Sequence, residues 1–316
     1  MASAAAAARS PAFSRVDLGL IVTIVIWGVN YAAIKAALRE LHPLGFNALR
    51  FLLATITLGA LARGLGALRA IPRPDLIRLA LLGLLGNTVY QLIFIQGIAR
   101  TTAANASLIM SSCPMLVALL ASALGRDRLS PLAWAGVALA VGGLVLLLSG
   151  GAGHGFATGN LRGDLLILAS AATWAAYTVL AAGVMARTPA LPATLVTFIA
   201  GTPPLLLLAL PALARQEWAA VGWRGWSGLA FSGVLAIGIA YMLWNAGLAA
   251  IGGARTAVYQ NFTPVVAAGF AWITLGERWT APQFAGAAAV LVGIALTRRR
   301  TDAPAGSTAP SETGSR

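Results

Sequence analysis

Apolar residues run through this chain in long blocks separated by short polar punctuation, and block length is the informative feature. A bilayer core of roughly 30 Å takes about 20 residues of helix. Ten stretches approach or meet that length: residues 17–38, 43–62, 76–98, 103–123, 131–149, 164–185, 193–213, 226–249, 255–275 and 281–297. The pattern predicts an all-α integral membrane protein with ten transmembrane helices. Pro203 and Pro204 weaken the seventh stretch, although a membrane helix keeps such residues where its neighbours satisfy the freed carbonyls. Residues 1–15 are alanine-rich, with Arg9 and Arg15, and lack a separate apolar core and cleavage site. They read as a short cytoplasmic tail, not a targeting peptide. Residues 298–316 read as a basic stop followed by a polar, Pro/Gly/Ser-rich tail expected to be disordered.

Polar residues inside the blocks recur at helical spacing, which gathers them on single faces. Thr23, Trp27 and Asn30 share a face of the first stretch with Tyr31 beside them, and Asn87, Tyr90, Gln91 and Phe94 follow the same rhythm in the third. The fourth offers Ser107 and Ser111, and the sixth Ser170, Thr173, Trp174 and Tyr177. Gly238, Tyr241 and Asn245 mark the eighth, and Thr256, Tyr259, Gln260 and Thr263 the ninth, whereas the fifth and tenth are almost purely apolar. Because a polar group facing lipid is costly, such faces turn toward a bundle interior or a watery cavity. Bonding between helices is the plainer explanation for any one Ser or Thr. The set as a whole points to a shared cavity whose aromatic side chains suit an amphipathic small-molecule substrate. The expected binding residues are Trp27, Asn30, Tyr31, Asn87, Tyr90, Gln91, Ser107, Ser111, Thr173, Trp174, Tyr177, Tyr241, Asn245, Tyr259 and Gln260.

Composition agrees with the membrane reading: 59% of the 316 residues are hydrophobic and 10% charged, where a soluble domain carries about 25% charged residues. The net charge of +13 does not point to nucleic acid, because the basic residues are spread between apolar blocks rather than clustered on one face. With the N-terminus inside, 14 Lys and Arg residues fall on the cytoplasmic side and 7 on the other, Arg50 being left out as intramembrane. The positive-inside rule thus predicts both termini in the cytoplasm. Every acidic residue lies at a stretch end, in a loop or in a tail, so no intramembrane carboxylate stands ready to relay protons or hold a cationic drug. Lys35, the only lysine, and Arg50 are the candidates for charge selectivity, with snorkelling or capping as the alternative. Cys113, His42 and His154 cannot make a metal site together, and no cofactor motif is present. A homo-oligomer is compatible with the sequence but not required by it.

The halves of the chain resemble each other at a shift near 150. Asp17 and Trp27 correspond to Asp164 and Trp174, Pro43 to Pro192, Gly97 to Gly247, Pro114 to Pro264, Gly136 to Gly286 and Gly143 to Gly293. The expected units are residues 16–149 and 164–297, with five helices each. An odd number of crossings inverts the second unit relative to the first, and inverted repeats are a hallmark of secondary carriers. Pro114 and Pro264, mid-helix at equivalent places, are hinge candidates.

Read together, WGVNYAAIK, HPLGFNALRF, TTAANASLIMSSCP and LGERWTAPQFAG resemble the EamA-type permeases of the drug/metabolite transporter superfamily over residues 16–297. The likeness rests on Trp27 with Gly28, Pro43 before Arg50 and Phe51, the Ala/Ser-rich approaches to Pro114 and Pro264, and the Gly276–Glu277 pair. After the fourth stretch the usual Gly-Glu is replaced by Gly125, Arg126 and Asp127. The resemblance implies an inner-membrane carrier, often an exporter of amino acids and related metabolites, with its site among stretches 1, 3, 4, 6, 8 and 9. An uncoupled facilitator of the same fold is the first alternative. An intramembrane enzyme or sensor is the second, and no stretch supplies it with a His or acidic residue at useful spacing.

Overall fold

A computed structural model describes residues 14–62, 71–125, 130–149, 160–276 and 280–298. The outer parts of both expected tails, together with Arg126, Asp127, His154 and Glu277, lie outside the described residues.

Each apolar block forms a helix whose ends follow local chemistry. α1 (Arg15–Ala37) starts at a capping box in which the Ser14 hydroxyl accepts from the Asp17 N–H while the Asp17 carboxylate accepts from the Ser14 N–H. α2 (Pro43–Leu61) begins with Pro43 in the first turn, where its missing N–H costs nothing. α3 (Arg73–Arg100) contains a π-helical segment, Leu84–Val89. α4 (Ala103–Ala123) is interrupted by a turn at Ser111 and Ser112 just ahead of Pro114. α5 (Pro131–Ser149) and α6 (Asn160–Met185) follow. α7 (Ala190–Ala214) stays helical through Pro203, Pro204 and Pro211. α8 (Trp223–Ile251) carries a second π-helical segment, Phe231–Ile239. Gly252, with φ of +79°, makes the sharp turn into α9 (residues 253–275), which is broken by a 3₁₀ turn at Gln260–Phe262 directly before Pro264. α10 (Ala281–Arg298) is the last described helix.

Seven of these helices are long and apolar enough to cross a membrane: α1 to α4 and α6 to α8. The apolar parts of α5 and α10 are shorter, at Pro131–Gly143 and Phe284–Gly293. Large apolar side chains point outward, among them Ile273 at 76% exposure and Leu207 at 66%. Such a surface belongs in lipid, and the chain is a multi-pass membrane protein.

The packing is ordered. α5 and α10 lie along each other and touch little else, α2 lies on α7, α1 on α8 and α9, α6 on α3 and α4, and the remaining principal contacts join α2 to α8 and α3 to α7. Gly143 and Gly293 let α5 and α10 approach backbone to backbone. A Cβ at Gly143 would stand 2.7 Å from the Gly286 carbonyl oxygen, and one at Gly293 would stand 2.5 Å from that of Gly136. At the bundle end where α3 begins, Asp75 accepts from Arg187 at 2.7 and 3.0 Å and from Arg78 at 3.3 Å. At the opposite end the Glu40 carboxylate accepts from the Gly222 and Gly225 N–H groups, both at 2.9 Å, which fastens the α1–α2 turn to the start of α8.

Candidate functional site

Seven helices converge on a central chamber. α1 supplies Trp27, Asn30 and Tyr31, α2 Arg50, and α3 Tyr90, Gln91 and Phe94. Ser107, Met110 and Ser111 come from α4, Trp174 from α6, Ile237 and Tyr241 from α8, and Gln260 and Thr263 from α9. The cavity measures about 40 Å³, room for roughly three water molecules. A metabolite enters only if the walls part. Both π-helical segments stop one or two residues before a chamber residue: Leu84–Val89 ahead of Tyr90 and Gln91, and Phe231–Ile239 ahead of Tyr241. A π turn inserts an extra residue and so turns the following side chains relative to a regular helix, a device common at functional sites.

Arg50 is the chemical centre of this wall. Its side chain is fully buried, and among the described residues no carboxylate lines the chamber. Nε and Nη2 donate to Asn47 Oδ1 at 3.0 and 2.7 Å, Nη2 also donates to Gln91 Oε1 at 2.5 Å, and Nη1 donates to the Ser232 hydroxyl at 3.1 Å. The guanidinium also stands 5.4 to 6.0 Å from the ring centres of Phe46, Phe51 and Phe94. Neutral acceptors and ring faces hold the cation in place without cancelling its charge, so a buried positive site looks into the cavity.

Aromatic rings make the rest of the wall. Trp27 meets Trp174, Tyr241 and Trp244 at 5.8, 5.8 and 5.1 Å between centroids, and its indole N–H donates to the Ala236 carbonyl at 2.9 Å. Trp174 packs on Tyr90 at 5.0 Å and stacks on Tyr177 at 4.9 Å. Gln91 bridges the two chemistries, since its Nε2 donates to the Tyr241 hydroxyl at 2.7 Å while its oxygen holds Arg50. Four chamber residues keep a buried polar atom with no protein partner: Asn30 Oδ1, Trp174 Nε1, Gln260 Oε1 and the Thr263 hydroxyl. Each such atom costs about 1–3 kcal/mol when left unpaired in a dry site. All four belong to residues of the chamber wall.

Other expected residues lie elsewhere. Tyr177 donates to Asn245 at 3.1 Å, and Asn245 donates to Thr194 at 2.8 Å, forming a tie between α6, α8 and α7 beside the chamber. Asn87 is buried within the π segment of α3, off the chamber wall. Thr173 bonds back to the Ala169 carbonyl at 2.9 Å on the outer side of α6. Lys35 donates to the carbonyls of Thr101 at 2.8 Å and Ile98 at 3.2 Å, capping the end of α3, and lines a separate cleft. Pro114 and Pro264 each open the second segment of a broken helix. Sequence reasoning missed Asn47 and Ser232, which hold Arg50, and the apolar wall residues Met110 and Ile237. Asn47 stands three residues before Arg50 on the same helix, a spacing that could have revealed it.

Side-chain bonds tie the helices together toward each end of the bundle. Where α1 and α9 begin, the Tyr259 hydroxyl donates to Asp17. At the opposite end the Thr101 hydroxyl donates to Asp164, and Lys35 holds the Thr101 carbonyl. Among the described residues no group of three or more His, Cys, Asp or Glu side chains gathers as a metal site would need.

Comparison with known proteins adds the following. The profile of the EamA-like transporter family matches residues 14–149 and 161–299. A probable terminal-alkyne amino-acid exporter of Streptantibioticus cattleyicolor is 28% identical over 91% of this chain and 95% of its own length. A probable amino-acid metabolite efflux pump of Salmonella typhimurium is 28% identical over 87% of this chain and 91% of its own. A crystal structure that is 23% identical superposes with a TM-score of 0.66 over 90% of this chain and 96% of the other, a likeness of fold.

Proposed function

Because the chain belongs to the EamA-like transporter family, we propose that it is a secondary carrier that exports small metabolites, such as amino acids or related organic anions and zwitterions. It works by alternating access through the central chamber. Its frame is ten transmembrane helices in two inverted five-helix units, residues 16–149 and 164–297, with both termini on the cytoplasmic side of the inner membrane. Three observations support that frame. The family profile matches twice along the chain. The helix contacts are unchanged in kind when α1 to α5 are exchanged for α6 to α10: α1 on α9 mirrors α6 on α4, α1 on α8 mirrors α6 on α3, and α2 on α8 mirrors α7 on α3. The interruptions also correspond, with π segments in α3 and α8 and breaks before Pro114 and Pro264. Rocking of two such units opens one end of a midplane site while the other closes.

The carrying observation is the buried, acid-free Arg50 facing a cavity among membrane-crossing helices. A lone intramembrane cation is expensive, and a site that must attract an anionic group justifies it. The names of the matched relatives point the same way, toward amino acids and toward transport rather than catalysis.

The test is counterflow in proteoliposomes preloaded with unlabelled amino acids or organic acids. Saturable accumulation of the labelled compound is expected. Absence of flux for either class, with the protein folded, would sink the reading. The absence of a carboxylate from the chamber wall favours a second reading, uncoupled facilitation. It requires that an imposed pH gradient leave the initial rate unchanged, and gradient-driven accumulation would exclude it.

A further inference from the structure

We propose that the chamber reads a free α-amino acid headgroup with two separate poles: Arg50, Tyr241 and Trp174 take the carboxylate, and Asn30, Gln260 and Thr263 take the ammonium. The inference rests on the carrier reading and assigns its substrate recognition residue by residue.

The first pole consists of donors. A guanidinium has five N–H groups. Four of those of Arg50 are spent on Asn47, Gln91 and Ser232, which leaves one on Nη1. The Tyr241 hydroxyl accepts from Gln91, so its own proton remains to be given. The Trp174 indole N–H is buried at 1% exposure with no acceptor. Three donors, one of them charged, match a carboxylate, which only accepts. They come from α2, α8 and α6.

The second pole consists of oxygens from α1 and α9, two helices packed on each other. Asn30 Oδ1 and Gln260 Oε1 lack donors, and the Thr263 hydroxyl lacks any partner, at 7, 6 and 5% exposure. A primary ammonium has three N–H donors and no acceptor. The numbers correspond, three donors to three oxygens.

The pairing of poles narrows the ligand. A plain organic anion would satisfy Arg50 but leave the oxygens of α1 and α9 without donors. A plain amine would meet those oxygens but add a second cation to a chamber that holds no acid. A zwitterion satisfies both and carries no net charge. Its ammonium therefore needs oxygen dipoles rather than a protein carboxylate, which accounts for the acid-free wall. The aromatic sides of Trp27, Tyr90 and Phe94 are left for an apolar side chain.

Purified protein is screened for thermal stabilisation by each of the twenty amino acids. The best stabiliser is then compared with its own amide, which lacks the carboxylate, and its deaminated acid, which lacks the ammonium. Both analogues are expected to bind about tenfold or more weaker than the amino acid. Arg50→Gln should weaken the amino acid about tenfold while moving the amide less than about threefold. Asn30→Leu or Gln260→Leu should erase the preference over the deaminated acid. If Arg50→Gln fails to fold, Trp174→Phe serves, because it keeps an aromatic ring while removing the N–H with part of the indole, and it should weaken the amino acid more than the amide. Equal binding of amino acid and amide, or an Arg50→Gln protein that keeps the full preference, overturns the assignment. So does the absence of stabilisation by any amino acid. If organic acids still exchange in counterflow, the pole assignment alone has failed; if neither class moves, the carrier reading has failed too.

Discussion

Residues 14–149 and 161–299 match one family profile, but corresponding positions in the two stretches do not carry the same chemistry. Some pairs agree. Trp27 and Trp174 touch edge to face in the chamber wall, and Gly143 and Gly293 each admit the other's helix. Other pairs that line the chamber diverge. At the shift of 149 set by Pro43 and Pro192, Arg50 answers to Ile199, which is 42% exposed on the outer side of α7. At the shift of 150 set by Pro114 and Pro264, Gln260 answers to Met110 and Thr263 to Cys113. On the proposed two-unit reading, duplication would supply the scaffold and divergence in polarity the binding site. The first stretch keeps the cation, and the second provides two of the three oxygens.

That contrast is sharpest at Arg50. Arg50→Ala should lower kcat/KM for a carboxylate-bearing substrate about 10- to 100-fold, as expected for a lost charge-assisted bond of about 1.5–3 kcal/mol. Ile199→Ala should change it less than about threefold, and comparable losses in counterflow would show that the two positions are not divided in role. The opposite outcome is expected in the frame. Gly143→Leu and Gly293→Leu should each destabilise by about 1–3 kcal/mol through overpacking, and by equal amounts in thermal unfolding. A large inequality would mean that α5 and α10 do not play equivalent parts.

The two indoles of one pair differ in their bonding. Trp27→Phe removes a bond to Ala236 together with ring volume and should cost more than about 1 kcal/mol of stability. Trp174→Phe removes an unpaired N–H and part of a buried ring, so it should also destabilise, and in addition weaken ligand binding. The smallest effects belong to the end ties. Asp17→Asn and Asp164→Asn each weaken the tie at one end of the bundle. Cysteine probes in the chamber should then label faster from opposite sides of the membrane in the two variants, and faster labelling from the same side would contradict the two-ended arrangement.

The helices were legible because block length and caps are local properties. The stretches 43–62 and 103–123 appear as Pro43–Leu61 and Ala103–Ala123, and 76–98 lengthens by a few residues to Arg73–Arg100. Trp27, Asn30 and Tyr31 share one wall because α1 is a regular helix there. Where helices depart from regularity, periodicity misleads. The π segment turns Asn87 out of step with Tyr90 and Gln91, and the 3₁₀ turn at Gln260–Phe262 separates Gln260, in the wall, from Tyr259, which reaches Asp17. Of the groups that hold Arg50, only Asn47, three residues before it, was within reach of the sequence. Ser232 and Gln91 lie 182 and 41 residues away in sequence, and only the fold brings them together.

The bond from Gln91 to Tyr241 joins corresponding positions of the two stretches, 150 residues apart. Gln91 also grips Arg50. On the alternating-access reading proposed above, a cation tethered where the two units meet would keep its depth in the bilayer through the cycle. With a zwitterionic substrate, little net charge would then cross the electric field.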